Sequence, residues 1–159
     1  MKLIKLRQAA LRKLVRIWPP YFGAGIQVKN IALDYSSVDV EMNLHFWNAN
    51  YVGTHFGGSL YSMTDPFFML ILLERLGSEY IVWDKTATIR FKKPGKGKVR
   101  ARFHIPDEEI AKIKSEADTQ PKAEPNFSVD ITDDQGDVVA VVEKTIFVKR
   151  KDRTNDKRN

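Results

Sequence analysis

One apolar segment dictates what this chain can fold into. Over residues 59–76, Leu60, Met63, Phe67, Leu70, Ile71, Leu73 and Leu76 recur at helical spacing, leaving few sides of the implied helix polar. A helix of that kind must be covered nearly all the way round. Its longest uninterrupted apolar run, 67–73, has seven residues, far short of the roughly 20 that cross a bilayer. The cover must therefore come from the protein itself. Gly77 is a natural residue on which to end the helix.

The rest of the chain supplies strands. Ile26, Val28 and Ile31 begin an extended segment, Asp34-Tyr35-Ser36-Ser37 reads as a turn, and 38–45 alternates apolar and polar at period 2, which together predict a hairpin. After the helix, 80–83 and 86–91 form one long strand or two, interrupted near Asp84-Lys85. A turn at Pro94-Gly95-Lys96-Gly97 leads to the alternating 99–105. A short helix follows to about Glu116, with Asp107 as its expected N-cap and acids in its first turn. Strands at 127–131 and 138–148 flank the acidic turn 133–137. The economical solution is an α+β domain, with five or six antiparallel strands wrapped around one long central helix.

Charge redirects the search for function. The net charge of +6 invites a nucleic-acid or membrane reading, but residues 1–16 hold six basic side chains and no acid, and 149–159 hold six against two. The body between them carries 14 basic and 18 acidic residues, a charge of −4. Residues 3–18 read as an extra N-terminal amphipathic helix whose basic face is solvated; contact with an anionic membrane surface is the lesser expectation. A single domain over 1–149 and a basic tail over 150–159 are expected. The basic ends lack interleaved aromatics apart from Trp18, so no nucleic-acid partner is expected. With no Cys and three scattered His, neither a disulfide framework nor a metal site is expected, and the chain is expected to be cytoplasmic.

Chemistry concentrates in 50–65. Gly57-Gly58 at the opening of the apolar helix would leave backbone N–H groups unpaired at the positive end of a helix dipole, where an anion or a developing oxyanion can be held. Asp65 lies among Met63, Pro66, Phe67 and Phe68. A carboxylate there would be costly if unpaired, so it is a candidate base or nucleophile, or else a cap for a helix beginning at Pro66. Basic residues from Lys85 to Arg102, with no acid between 85 and 106, could hold phosphates or could be ordinary solvated strand faces.

The run Asn50-Tyr51-Val52-Gly53-Thr54-His55-Phe56-Gly57-Gly58-Ser59-Leu60, with Asp65 eight residues after the first Gly, resembles the signature of hotdog-fold acyl-CoA thioesterases of the phenylacetyl-CoA type. It is closest to a poorly characterised branch of that superfamily. The resemblance implies a hotdog fold, assembly as a homodimer or homotetramer, an acyl thioester as substrate, and no cofactor beyond the coenzyme A of that substrate. It implies that Gly57 N–H polarises the thioester carbonyl and that Asp65 of the partner subunit acts as base or nucleophile. Asn50 would orient water or substrate, and Gly58, His55 and Phe56 would line the substrate. The family usually has His directly before the Gly pair; here that position is Phe56. Together with the bulky Phe67-Phe68, this motivates the alternative of a non-catalytic acyl-thioester or lipid-binding protein.

Overall fold

The computed structural model describes residues 17–151. The expected helix over 3–18 therefore lies outside the described residues except for its last two positions. So do residues 152–159 of the expected tail. The described chain runs α1 (Pro19–Ala24), β1 (Ile26–Ile31), β2 (Ser37–Asn43), α2 (Gly57–Ser62), α3 (Phe67–Leu76), β3 (Tyr80–Phe91), β4 (Lys98–His104), α4 (Asp107–Thr119), β5 (Asn126–Asp133) and β6 (Val138–Arg150). Arg150, assigned from sequence to the tail, belongs to β6.

All six strands join one antiparallel sheet in the order β1-β2-β4-β5-β6-β3. Its inner face packs on the central helical segment. Val38, Val40, Met42, Val99, Ala101, Phe103, Ile131, Val142, Ile146 and Val148 meet Leu60, Met63, Phe67, Phe68, Ile71 and Leu72 in one buried core. The alternation in β2 and β4 places these residues on one side of the pleat. This is the six-stranded form of the expected architecture.

The central helix is broken where the sequence reading had it continuous. Met63 N–H still reaches the Ser59 carbonyl at 3.0 Å, but Thr64 and Asp65 bond only three residues back, to Tyr61 and Ser62. Pro66 has no N–H to donate and disfavours helical geometry in the residue before it. The helix resumes as α3, with Leu70 N–H on the Pro66 carbonyl at 2.8 Å. Apolar periodicity does not see this break, because Met63 and Phe67 stay in phase across it.

β3 is a single strand with a bulge. Asp84 faces Ile146 and Thr86 faces Thr145, so Lys85 is the extra residue. The slip reverses the pleat: Tyr80, Val82 and Asp84 point inward before it, and the inward phase passes to Ala87, Ile89 and Phe91 after it. Both Asp84 and Phe91 thereby face the helix. At α4, Asp107 is the first helical residue, with Pro106 as the cap. Its carboxylate pairs with Arg75 of α3 and makes no cap bond. No helix among the described residues is long and apolar enough to cross a membrane.

Candidate functional site

The loop over 44–56 delivers the start of α2, and Asn50 organises it. Asn50 Oδ1 accepts from the N–H groups of Val52 (3.1 Å) and Thr54 (3.0 Å), while Nδ2 donates to Thr54 Oγ1 (2.8 Å) and the His55 carbonyl (3.3 Å). The amide expected to orient water or substrate is thus occupied in folding the loop. Asn50→Ala should cost about 1–3 kcal/mol, as one or two net hydrogen bonds are lost. Asn50→Asp, which keeps the two Oδ1 bonds, should cost less; urea denaturation of both variants measures the difference.

His55 is buried, at 3% exposure, and two of its N–H groups are engaged in holding the loop. Nε2–H donates to the Gly97 carbonyl at 2.9 Å and the backbone N–H to the Gly95 carbonyl at 3.0 Å, which ties the loop to the β3–β4 turn. Nδ1 is buried without a partner. Burial holds the imidazole below its usual pKa, with the Gly97 bond opposing. The folded value therefore lies beneath the unfolded one of about 6.5. Above that pH both states are neutral. As pH falls through about 6.5, the unfolded chain takes up a proton that the folded ring resists, and stability drops. His55→Gln, which can keep a donor to Gly97, should flatten the fall in urea midpoint below about pH 6.5.

Phe56 caps α2 with extended backbone (φ −64°, ψ 128°), and Ser59 and Leu60 N–H return to its carbonyl. Among the described residues, the N–H groups of Gly57 and Gly58 donate to no acceptor. Two aromatic rings flank this turn. A Cβ on Gly57 would sit 2.9 Å from Phe91 Cζ, and one on Gly58 would sit 2.5 Å from Phe56 Cε1. Each glycine occupies space that a ring leaves no room to enlarge, and both rings are more than half exposed. Phe46, Trp47, Tyr51 and Val52 extend the exposed apolar surface along the preceding loop.

Asp65 stands apart from this turn, eight residues on, or roughly 12 Å at helical rise. It is paired, not orphaned in the core: its side chain is 48% exposed. Oδ1 accepts from Tyr61 Oη–H at 3.1 Å and lies 3.5 Å from Lys144 Nζ. Lys144 Nζ also donates to the Asp65 backbone carbonyl and, at 2.8 Å, to Asp84 Oδ2. Burial pushes the Asp84 carboxyl above its ordinary value, and Lys144 pulls against that rise. Burial and the Asp65 charge push the Tyr61 hydroxyl up to about 12, so it remains a donor at neutral pH. The Tyr21 hydroxyl, buried without a partner, is raised by the same two causes. No side chain of the described residues caps α3, so Asp65 is not its cap.

Lys144 and Asp84 were missed in the sequence, although one signal for them was present. The inward phase of β6 reads Val142, Lys144, Ile146 and Val148, a cation in an apolar row. The basic stretch of β3 and β4, in contrast, is largely consumed by acids. Lys85 pairs with Glu124, Arg90 with Glu143, Lys93 with Asp133 and Asp137, Arg100 with Glu41 and Asp134, Lys98 with Glu41, and Arg102 with Asp39. Among the described residues, Lys92 and Lys96 have no carboxylate partner. No group of three or more His, Asp or Glu side chains there could hold a metal ion.

A model of the family termed domain of unknown function DUF4442 matches residues 7–148. The fold matches a crystal structure of PA5026 from Pseudomonas aeruginosa, a protein of unknown function described as a probable thioesterase. The TM-score is 0.82 at 23% identity, over 91% of this chain and 96% of that one. A protein of unknown function from Chlorobaculum tepidum gives 0.72 at 17% identity, covering 90% and 94%. The thioesterase HI1161 of Haemophilus influenzae gives 0.64 at 15% identity, covering 88% of each chain. No curated protein matches the chain. The architecture shared with these structures is the hotdog fold.

Proposed function

This chain belongs to the DUF4442 domain family, and from that footing we propose that it hydrolyses an acyl thioester, with coenzyme A as the expected carrier. One observation carries the reading. Asp65 has one oxygen, Oδ1, anchored by Tyr61 and Lys144, while among the described residues Oδ2 makes no bond and the side chain is half exposed. A carboxylate held in this way is suited to act as a base. The probable-thioesterase description of the Pseudomonas aeruginosa protein points to the same chemistry.

In this mechanism Gly57 N–H, at the start of α2, donates to the thioester carbonyl and then to the oxyanion formed from it. Asp65 takes a proton from water as the water oxygen bonds to the carbonyl carbon. The tetrahedral intermediate collapses, the C–S bond breaks, and the thiolate leaves and is protonated. Direct attack by Asp65, giving an anhydride that water opens, uses the same residues. Phe56, Phe91 and Gly58 would line the acyl group, Asn50 and His55 would hold the loop in place, and Lys92 and Lys96 are left to meet phosphates.

The separation of Gly57 from Asp65 along one chain supports a site shared between subunits. So does β3, a 12-residue strand at the sheet edge whose inward residues beyond the bulge, Ala87 and Phe91, remain exposed. A homodimer would pair that edge and bring Asp65 of the partner subunit towards Gly57. Incubating the protein with octanoyl-CoA, phenylacetyl-CoA and other acyl-CoAs in the presence of a thiol reagent tests the reading, and thiol release is expected. The second reading, a non-catalytic binder, is favoured by Phe56 in the usual His position; acyl-CoA retained on native mass spectrometry without thiol release would establish it.

A further inference from the structure

We infer that Lys144, Asp84 and Tyr61 form a positioning set that fixes the Asp65 carboxylate and leaves Oδ2 as its reactive oxygen; this rests on the reading of Asp65 as base or nucleophile. Tyr61 from α2 and Lys144 from β6 reach this carboxylate, Asp84 from β3 bonds Lys144, and the Tyr21 hydroxyl of α1 feels the Asp65 charge. The Lys144 side chain is wholly buried. A buried ammonium persists only when its charge and its donors are met. Here they are met by Asp84 Oδ2, by the Asp65 carbonyl and by Asp65 Oδ1.

Each contact traces to a feature that core packing alone does not require. The Pro66 break takes the Asp65 carbonyl out of regular helix, and Lys144 Nζ receives it. The Lys85 bulge lets Asp84, in phase with Tyr80 and Val82, face inward on the same strand as Phe91, and its carboxylate holds Lys144 from the neighbouring strand. Tyr61 lies one turn before Asp65, so that its hydroxyl lands on Oδ1, and its ring sits 5.8 Å from Lys144 Nζ. Among the described residues, two positive or donating groups thus act on Oδ1 and none on Oδ2. Lys144 and Tyr61 restrict the rotation of the carboxylate, while Asp84 fixes Lys144 and does not itself need to meet substrate. An apolar residue at 144 would fill the same space in the core, but it would leave Asp65 free to turn.

The test compares wild type, Tyr61→Phe, Lys144→Met and Asp65→Asn as full-length proteins. Each is assayed at equal concentrations of folded enzyme on whichever of octanoyl-CoA and phenylacetyl-CoA wild type turns over faster. Tyr61→Phe removes one hydroxyl and should fold. Its kcat is expected to fall about tenfold, one charge-assisted hydrogen bond, with KM within about twofold. Lys144→Met, where folded, should show the same split with a larger loss of kcat. A merely structural contact would alter yield or melting temperature and leave the kcat of the folded enzyme in place. Asp65-dependent turnover with kcat within twofold of wild type in Tyr61→Phe would overturn the inference alone. Absent turnover, or turnover at the wild-type rate in Asp65→Asn, would instead remove the reading on which it rests, and the inference with it.

Discussion

Replacing Asp65 by Asn should lower thioester turnover by about 10²–10⁴-fold, the scale set by losing a positioned base, while the fold remains intact. The amide keeps an oxygen that can accept from Tyr61 and Lys144, so the anchoring contacts have a substitute. What it loses is the capacity of Oδ2 to take a proton or bond to carbon. The side chain is half exposed, and asparagine has nearly the same shape. The melting temperature should therefore stay within a few degrees of wild type. Thiol release by the two proteins, measured at equal concentrations of folded enzyme, checks the prediction. Turnover unaffected by the change would refute the role assigned to Asp65.

The largest expected effect on stability is at Lys144. Lys144→Met should destabilise the protein by about 3–5 kcal/mol, the usual cost of removing one partner from a buried ion pair. The reason lies in what remains: Asp84 would keep a carboxylate whose Oδ1 is already buried without a partner, and would lose the ammonium on Oδ2. The Asp65 carbonyl would lose its donor as well. Methionine replaces most of the volume, so a cavity contributes little to the loss. Combining it with Asp84→Asn, which removes the stranded charge, should recover more than half of that loss in urea denaturation. If the double variant were as unstable as Lys144→Met, the cost would lie in packing and not in charge.

Much of the fold was legible because it follows from two periodicities. The period-2 runs of β2, β4 and β6 and the apolar saturation of 59–76 leave few ways to bury the helix, and the six-stranded wrap is the one observed. The breaks in those patterns were less legible. Pro66 was visible, but the apolar phase runs through it, so periodicity alone gave one helix where there are two. The Lys85 bulge appeared only as an interruption; its consequence, turning Phe91 towards Gly57, depends on pairing with β6, which lies more than 50 residues away in sequence. The α4 start failed for a local reason: Arg75, distant in sequence, claims the Asp107 carboxylate expected to cap the helix.

The site divides in the same way. Gly57, Gly58 and Asp65 were singled out by spacing and resemblance; among the described residues the glycine N–H groups are unpaired as expected of the turn, while the Asp65 carboxylate, expected among apolar neighbours, is half exposed. Asn50 and His55 were singled out by the same route, but the Asn50 amide bonds within its loop and His55 Nε2 bonds the β3–β4 turn, facts that only hydrogen-bond partners reveal. The basic stretch 85–102 looked available for phosphates because its partners, Glu41, Glu124, Asp133 and Glu143 among them, lie on other strands. Lys144 shows the reverse: a lone cation in phase with buried Val142 and Ile146 was a sequence signal, and its meaning emerged only with Asp65 and Asp84 beside it.

The central claim is a thioester site in which Gly57 of one subunit works with Asp65 of the other, and subunit complementation tests it most directly. Asp65→Asn and Gly57→Val chains, each inactive as a homodimer, are unfolded together, refolded as a mixture and assayed for thiol release. In a two-fold dimer with shared sites, half of the assemblies are mixed, and each of these contains one intact site. Activity should then return to about a quarter of wild type. A mixture as inactive as its two parents, with mixed dimers shown to be present by native mass spectrometry, would contradict the shared site.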